Sequence, residues 1–155
     1  MTLDEYLQVG VTVSIGAYSF SPEAIKAFAV KYDPQPFHVD EAKAESSVFG
    51  RLCASGWQTA AAWMKCNLAT PINDGRPWQG EGPEPEFGPS PGFSNLKWLK
   101  PVYAGETVSY TRKILGHRPM ASRPGWRLVS LRSEGFDSTG DKVIEFDSAV
   151  LVKVE

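Results

Sequence analysis

The sequence predicts an α+β fold in which an antiparallel sheet wraps one long helix. Helical texture fills the first half of the chain and strand texture the second, and no internal repeat relates them. Between about Ser55 and Ala69 apolar side chains recur at helical spacing, while the opposite face is only partly polar, so packing is expected around most of that helix. The last segment, KVIEFDSAVLVKV, alternates like a half-buried strand. A length of 155 residues, a net charge of −2, 42% hydrophobic and 22% charged residues describe one globular domain, residues 1–155, and exclude a disordered tail or a coiled coil. At this length roughly 68–70% of the unfolded surface is buried on folding, so no staple is required.

Residues 11–19 read as a strand with Val11, Val13, Ile15 and Ala17 on one face. Ser21 as N-cap and Pro22 at the first helical position then open a helix that ends near Tyr32, burying Ile25, Phe28 and Ala29. Asp33-Pro34-Gln35-Pro36 is expected to form a stiff loop, because each proline removes a donor and pushes the preceding residue towards extended geometry. A short helix follows around Glu41 to Ser46. In the long helix the stripe Trp57, Ala60, Ala61, Met64 and Leu68 is expected to face the core, opposite Gln58, Ala62, Lys65 and Ala69. Eleven of the twenty-two residues from Pro71 to Gly92 are Gly or Pro, which predicts a long irregular lid or wall. From Ser94 onwards SNLKWLK, TVSYTRKIL, GWRLVSLRSEGF and the last segment form a meander, with Asp137 to Asp141 turning its final hairpin.

Several functions are disfavoured by composition. Two cysteines, Cys53 and Cys66, are too few for a disulfide framework or a four-cysteine zinc site and suit a reducing cytoplasm. The first ten residues lack the order of a secretory signal, and no run approaches the ~20 apolar residues of a membrane span. With 16 basic against 18 acidic residues there is no cationic field for nucleic acid. His38 and Asp40 lack a third metal ligand, since the other histidine, His117, lies far along the chain. The cysteines read as buried small residues, and no Gly-x-Ser-x-Gly elbow is present.

The constellation that remains is Tyr32-Asp33-Pro34-Gln35-Pro36-Phe37-His38-Val39-Asp40, followed by Ala44 and by Ser55-Gly56. It resembles the motif Gly-Asp-x-Asn-Pro-x-His-x-Asp-x-x-x-Ala of the MaoC-like, (R)-specific enoyl-CoA hydratases, with Asp33, Pro36, His38, Asp40 and Ala44 in register. Gly56 falls where that family opens its central helix, and Leu99-Lys100-Pro101-Val102 running into Gly105-Glu106 extends the likeness. Three positions depart from the pattern: Gln35 replaces an asparagine, Tyr32 a glycine, and Ser55 a frequent histidine. The resemblance implies a hotdog fold, a homodimer or dimer-based assembly, and an acyl-CoA substrate with no metal or redox cofactor.

The chemistry explains why such residues belong together. Adding water to a trans-2-enoyl thioester requires a group that takes a proton from water, a proton for C2, and donors for the developing enolate oxygen. Asp33 and His38 are the expected water-activating pair, and the Gly56 N–H, at a helix N-terminus, is the expected oxyanion donor. Ser55 and Trp57 are expected to touch substrate, and Trp78 and Phe87 are candidates for an acyl pocket. Asp40 is expected to fix the loop or to start the next helix. The basic residues Lys97, Lys100, Arg112, Arg118, Arg123 and Arg127 fit either coenzyme A phosphates or an ordinary charged sheet face. A thioesterase on the same fold and a non-catalytic acyl-CoA-binding protein are the alternatives.

Overall fold

The computed structural model describes residues 1–155. Most helix starts follow local capping chemistry. Thr2 and Glu5 close a reciprocal capping box on a one-turn helix α1 (Leu3–Tyr6), an addition to the expected elements. After strand β1 (Thr12–Ser19), Ser21 accepts a hydrogen bond from the Ala24 N–H and opens α2 (Pro22–Tyr32). Pro36 does not stay in the expected loop. It begins a short helix α3 (Pro36–Val39), because its missing N–H is one that a helix N-terminus leaves unpaired anyway. Asp40 caps α4 (Glu41–Glu45) through the Lys43 N–H, and Ser55 caps the long helix α5 (Gly56–Ala69) through the Trp57 N–H.

The Gly/Pro-rich segment is irregular apart from a 3₁₀ turn at Ile72–Gly75 and a two-residue strand β2 (Glu86–Phe87). Strands β3 (Gly92–Trp98), β4 (Thr107–Pro119), β5 (Trp126–Phe136) and β6 (Lys142–Lys153) complete one antiparallel sheet in the order β1-β4-β5-β6-β2, with β3 also on β6. β2 and β3 share the outer edge of β6, opposite Val152–Lys153 and Ile144–Ala149 respectively. Six antiparallel strands against one long helix make the hotdog fold.

Two burial patterns differ from those expected. In β1 the register slips between Ser14 and Gly16, where Gly16 takes φ +106°, a conformation few other residues adopt. The bulge shifts the phase, so Tyr18 packs on the core while Ala17 and Val11 are exposed.

The larger difference is the orientation of α5. Its buried side carries Gln58, Thr59, Ala62, Trp63 and Cys66, whereas the apolar stripe turns outward, leaving Trp57 50%, Met64 45% and Leu68 78% exposed. The inward side is held by directed bonds to its surroundings. The Tyr110 hydroxyl donates to the Thr59 carbonyl at 2.8 Å, the Trp63 indole to the Thr111 carbonyl at 3.2 Å, and the Gln58 amide to the Ala24 carbonyl at 3.2 Å. At the far end the Arg112 guanidinium reaches the carbonyls of Asn67, Thr70 and Pro71 and the Asn67 side chain. The Asn67 and Thr70 carbonyls stand at the end of the helix and the Pro71 carbonyl just beyond it, where a cation is also favoured by the helix dipole.

Fifteen buried residues, among them Phe20, Ile25, Trp63, Tyr110, Ile144 and Phe146, form the main core beneath α5 and α2. A second cluster of six, including Tyr6, Leu7 and Val129, lies beneath α1. Trp78 joins this second cluster, edge-on to Tyr6 at 5.3 Å, rather than lining the space beside Asp33 and His38. On the opposite side of the sheet Arg132 bonds Glu145 at 2.6 Å and Asp147 at 3.1 Å, which accounts for the acidic alternation of β6. No helix is long and apolar enough to cross a membrane.

Because Arg112 is 4% exposed and its bonds close the end of α5, Arg112→Leu is expected to lower unfolding free energy by about 2–3 kcal/mol in urea denaturation, through unpaired buried carbonyls. An unchanged midpoint would show that the helix end is held by other means.

Candidate active site

Three element ends converge on one point. α2 stops at Asp33, whose backbone N–H still bonds the Ala29 carbonyl and whose side chain is thereby carried past the helix end. Two residues of extended chain and one turn of α3 then place His38 beside it, with Asp33 Oδ2 3.3 Å from His38 Nε2. The start of α5 supplies Ser55, whose hydroxyl donates to Asp33 Oδ2 at 2.7 Å. Gln35 donates to the other oxygen, Oδ1, also at 2.7 Å. Both carboxylate oxygens are therefore fixed.

His38 is fixed from its other side. Its Nδ1 lies 2.6 Å from the carbonyl oxygen of Cys53, and a carbonyl can only accept, so Nδ1 carries the proton. In the neutral ring Nε2 then presents a lone pair towards Asp33. The Cys53 segment is itself pinned: its N–H donates to the Phe37 carbonyl at 3.2 Å, and it bridges to Tyr103. The His38 and Asp33 side chains are 7% and 16% exposed, so the pair is nearly dehydrated yet open on one side.

Burial alone would raise the Asp33 pKa. The hydrogen bonds donated by the Ser55 hydroxyl and the Gln35 amide oppose it, and the carboxyl is held below its ordinary value. The same environment acts oppositely on Cys53, whose thiol is pushed up to about 11 by burial and by the Asp33 charge. A thiol so raised is a poor nucleophile near neutral pH.

The pair opens into a cleft of about 390 Å³, bounded by Phe37, Phe49, Gly56, Trp57, Trp98 and Lys100 among others. Gly56 is the first residue of α5, so its N–H has no acceptor within the helix and lies in the positive end of the helix dipole. The indole of Trp98 lies directly on Gly56, donating from Nε1 to the Gly56 carbonyl at 2.9 Å, and any Cβ at position 56 would overlap that ring. Lys100 is drawn to the β5–β6 hairpin, bonding Asp137 at 2.6 Å and Asp141 at 2.9 Å.

The residues expected at the site thus fall into distinct places. Asp33, His38 and Gly56 line one cleft, and Trp57 forms its edge. Ser55, expected to touch substrate, is fully buried, and its hydroxyl holds Asp33 instead. Asp40 caps α4. Tyr32 points away, 70% exposed and packed against Phe28. Phe87 lines a different cavity, and Arg112 closes a helix rather than facing solvent. Trp98 and the Cys53 carbonyl are additions. Neither has a sequence signal, since one is an edge-strand tryptophan and the other a backbone atom.

Comparison with known proteins agrees with the fold. Residues 4–124 match the MaoC like domain. The uncharacterized protein YdeM of Bacillus subtilis is 29% identical over 154 residues, 99% of each chain. Among solved structures, the MaoC-like dehydratase from Rhodospirillum rubrum is 32% identical, with a TM-score of 0.77 over 100% of this chain and 98% of that one. The (R)-hydratase from A. caviae, 22% identical with a TM-score of 0.65 over 95% and 96% of the two chains, shares the fold. With its own Asp33, His38 and Gly56 gathered at the head of the central helix, the chain belongs to the MaoC-like domain family.

Proposed function

We propose that this protein reversibly hydrates trans-2-enoyl-CoA to (3R)-3-hydroxyacyl-CoA. The supporting observation is a pair of acceptors, Asp33 Oδ2 and His38 Nε2, 3.3 Å apart and each fixed from behind, beside a free helix N–H. A water that donated one O–H to each acceptor would present its oxygen lone pairs to the cleft. Attack on C3 forms the C3–O bond as the pair takes one proton, and negative charge moves to the thioester oxygen. In this reading the Gly56 N–H donates to that oxygen and stabilises it. Return of the proton from the pair to C2 completes the addition, so that H and OH are added and nothing is left over. Orientation of this kind contributes several kcal/mol to lowering a barrier.

Gln35 and Ser55 are positioning residues in this reading. They keep Asp33 ionised and aimed, and the chemistry requires no metal or redox cofactor. We further propose a homodimer in a reducing cytoplasm. The outward stripe of α5, together with Phe93 at 59% exposure on β3, whose far side has no strand partner, leaves apolar surface and sheet edge that isolated chains rarely expose. Light scattering is expected to give twice the chain mass of 17.0 kDa. A monomeric mass would remove the dimer from the proposal.

Purified protein with crotonyl-CoA is expected to lose enoyl absorbance without releasing thiol, and chiral analysis to give the (3R) product. Thiol release would identify a thioesterase instead. Asp33→Asn and His38→Ala are each expected to lower kcat by at least about a hundredfold, the scale of general acid–base catalysis. Near-normal rates from either folded variant would discard the mechanism.

Ionisation of Asp33 provides a second check. Its pKa is held down, so the Asp33 carboxyl is expected to stay ionised as pH falls through the ordinary carboxylate range, as read by carbon-13 NMR of the labelled carboxyl. Ser55→Ala removes one of the donors that lowers that pKa, so its Asp33 carboxyl is expected to titrate at higher pH than in the parent. An unmoved titration would show that Ser55 does not control the ionisation of Asp33.

A further inference from the structure

Lys100 is the one lysine or arginine among the residues that line the catalytic cleft. It stands on the segment that leaves β3, and that segment is tied on both sides. The Leu99 N–H donates to the Val143 carbonyl of β6 at 2.9 Å, and the Val102 carbonyl accepts from the Ala54 N–H at 2.8 Å. Ala54 follows Cys53, whose carbonyl holds His38. Lys100 is therefore placed relative to the reacting pair by backbone bonds, all of them within one chain.

Its side chain is held as firmly. Asp137, whose side chain is 2% exposed, uses one oxygen to turn the β5–β6 hairpin, accepting from the N–H groups of Thr139 and Asp141 and from the Thr139 hydroxyl. Its other oxygen accepts from Lys100 Nζ at 2.6 Å, and Asp141 accepts from the same nitrogen at 2.9 Å. An ammonium has three N–H donors. Two are taken, the third has no acceptor in the protein, and the Lys100 side chain is 37% exposed.

Charge decides what that donor can hold. One ammonium between two carboxylates leaves the group with a net charge of −1. The bonds from Lys100 and Thr139 hold the Asp137 carboxyl well below its ordinary value, so it stays ionised at neutral pH. A phosphate would meet that net negative charge, whereas a neutral carbonyl meets an N–H strengthened by the charge it carries. We propose that Lys100 binds the pantetheine arm of the thioester, its third N–H donating to an amide carbonyl, and that recognition rests on this arm rather than on the phosphates of coenzyme A. The inference rests on the hydratase reading above and narrows its substrate class to thioesters of pantetheine.

The test compares crotonyl-CoA with crotonyl-pantetheine, which carries the same thioester and amides without the nucleotide. The parent is expected to turn over both, with KM values within about threefold of each other. Lys100→Met, which keeps an unbranched stem, is expected to raise KM at least about tenfold for both and to leave kcat within about threefold, because a charge-assisted hydrogen bond is lost away from the reacting atoms. A rise confined to crotonyl-CoA would assign Lys100 to a phosphate, and no rise for either substrate would leave it a structural tie; both results overturn the inference. A second measurement needs no variant, should Lys100→Met fail to fold. The parent's KM for crotonyl-CoA is expected not to rise between about 0.02 M and about 0.5 M NaCl, since there is no phosphate pairing to screen, and a rise of more than about threefold would overturn the inference. Turnover of crotonyl-CoA without turnover of crotonyl-pantetheine would overturn it while leaving the hydratase reading standing. Turnover of neither would remove that reading and the inference together.

Discussion

The anchoring of α5 against β4 is the constraint on which the rest of the structure depends. A helix with Gln58 and Thr59 on its inward side gains little from burial alone, since polar groups removed from water cost free energy unless they are bonded. Gln58 donates to the Ala24 carbonyl of α2 and the Thr59 hydroxyl to the Ser55 carbonyl, and β4 adds bonds to the helix from three neighbouring positions. Tyr110 and Arg112 donate towards the helix, and the Thr111 carbonyl accepts from Trp63. Each neutral bond contributes on the order of 1 kcal/mol, and the buried guanidinium more. Together they fix rotation as well as position, which burial of an apolar stripe would leave looser. Gln58 Oε1 is left without a partner, so the fit is incomplete at one atom on the α2 side.

Fixing the rotation of α5 has consequences at both of its surfaces. At its head, Ser55 is turned beneath Asp33, so one hydroxyl caps the helix and holds the carboxylate. A slip of one residue would take Ser55 away from Asp33 and the Gly56 N–H out of the cleft. Along its side, the stripe from Trp57 to Leu68 is released from core packing and becomes a wall of the cavity that Phe87 lines. The bonds that hold the helix therefore also keep its apolar face available.

The sequence made the helix ends legible because each carries a local signal: Ser21 before Pro22, Asp40 before α4, Ser55 before Gly56. That Asp33, His38 and Gly56 would share one cleft was legible by motif, from their spacing along the chain. The rotation of α5 was not, because periodicity marks which residues share a face and cannot say which face the sheet will satisfy. That depended on Tyr110 and Arg112, about fifty residues away. The bulge at Gly16 was hidden for a similar reason. A strand shifts phase only when its partner's register is known, and β4 pairs with it from almost a hundred residues downstream. Pro36 illustrates a rule with two outcomes, since proline ends a helix from inside but is well suited to begin one.

The departures from the family motif are compatible with one another for a reason that lies in the carboxylate itself. Two oxygens offer about four lone-pair directions. Gln35 occupies one on Oδ1 and Ser55 one on Oδ2, and the imidazole stands 3.3 Å from Oδ2 on a remaining side. A longer amide at position 35 still reaches the carboxylate because it begins two residues away on an extended segment. The hydroxyl at position 55 reaches it because the helix head lies directly beneath. His38 is constrained in parallel by a carbonyl that accepts only from Nδ1, so its other ring nitrogen is the one facing Asp33. Direction is set on both partners by neighbours that hold their other atoms, and the pair remains open to the cleft.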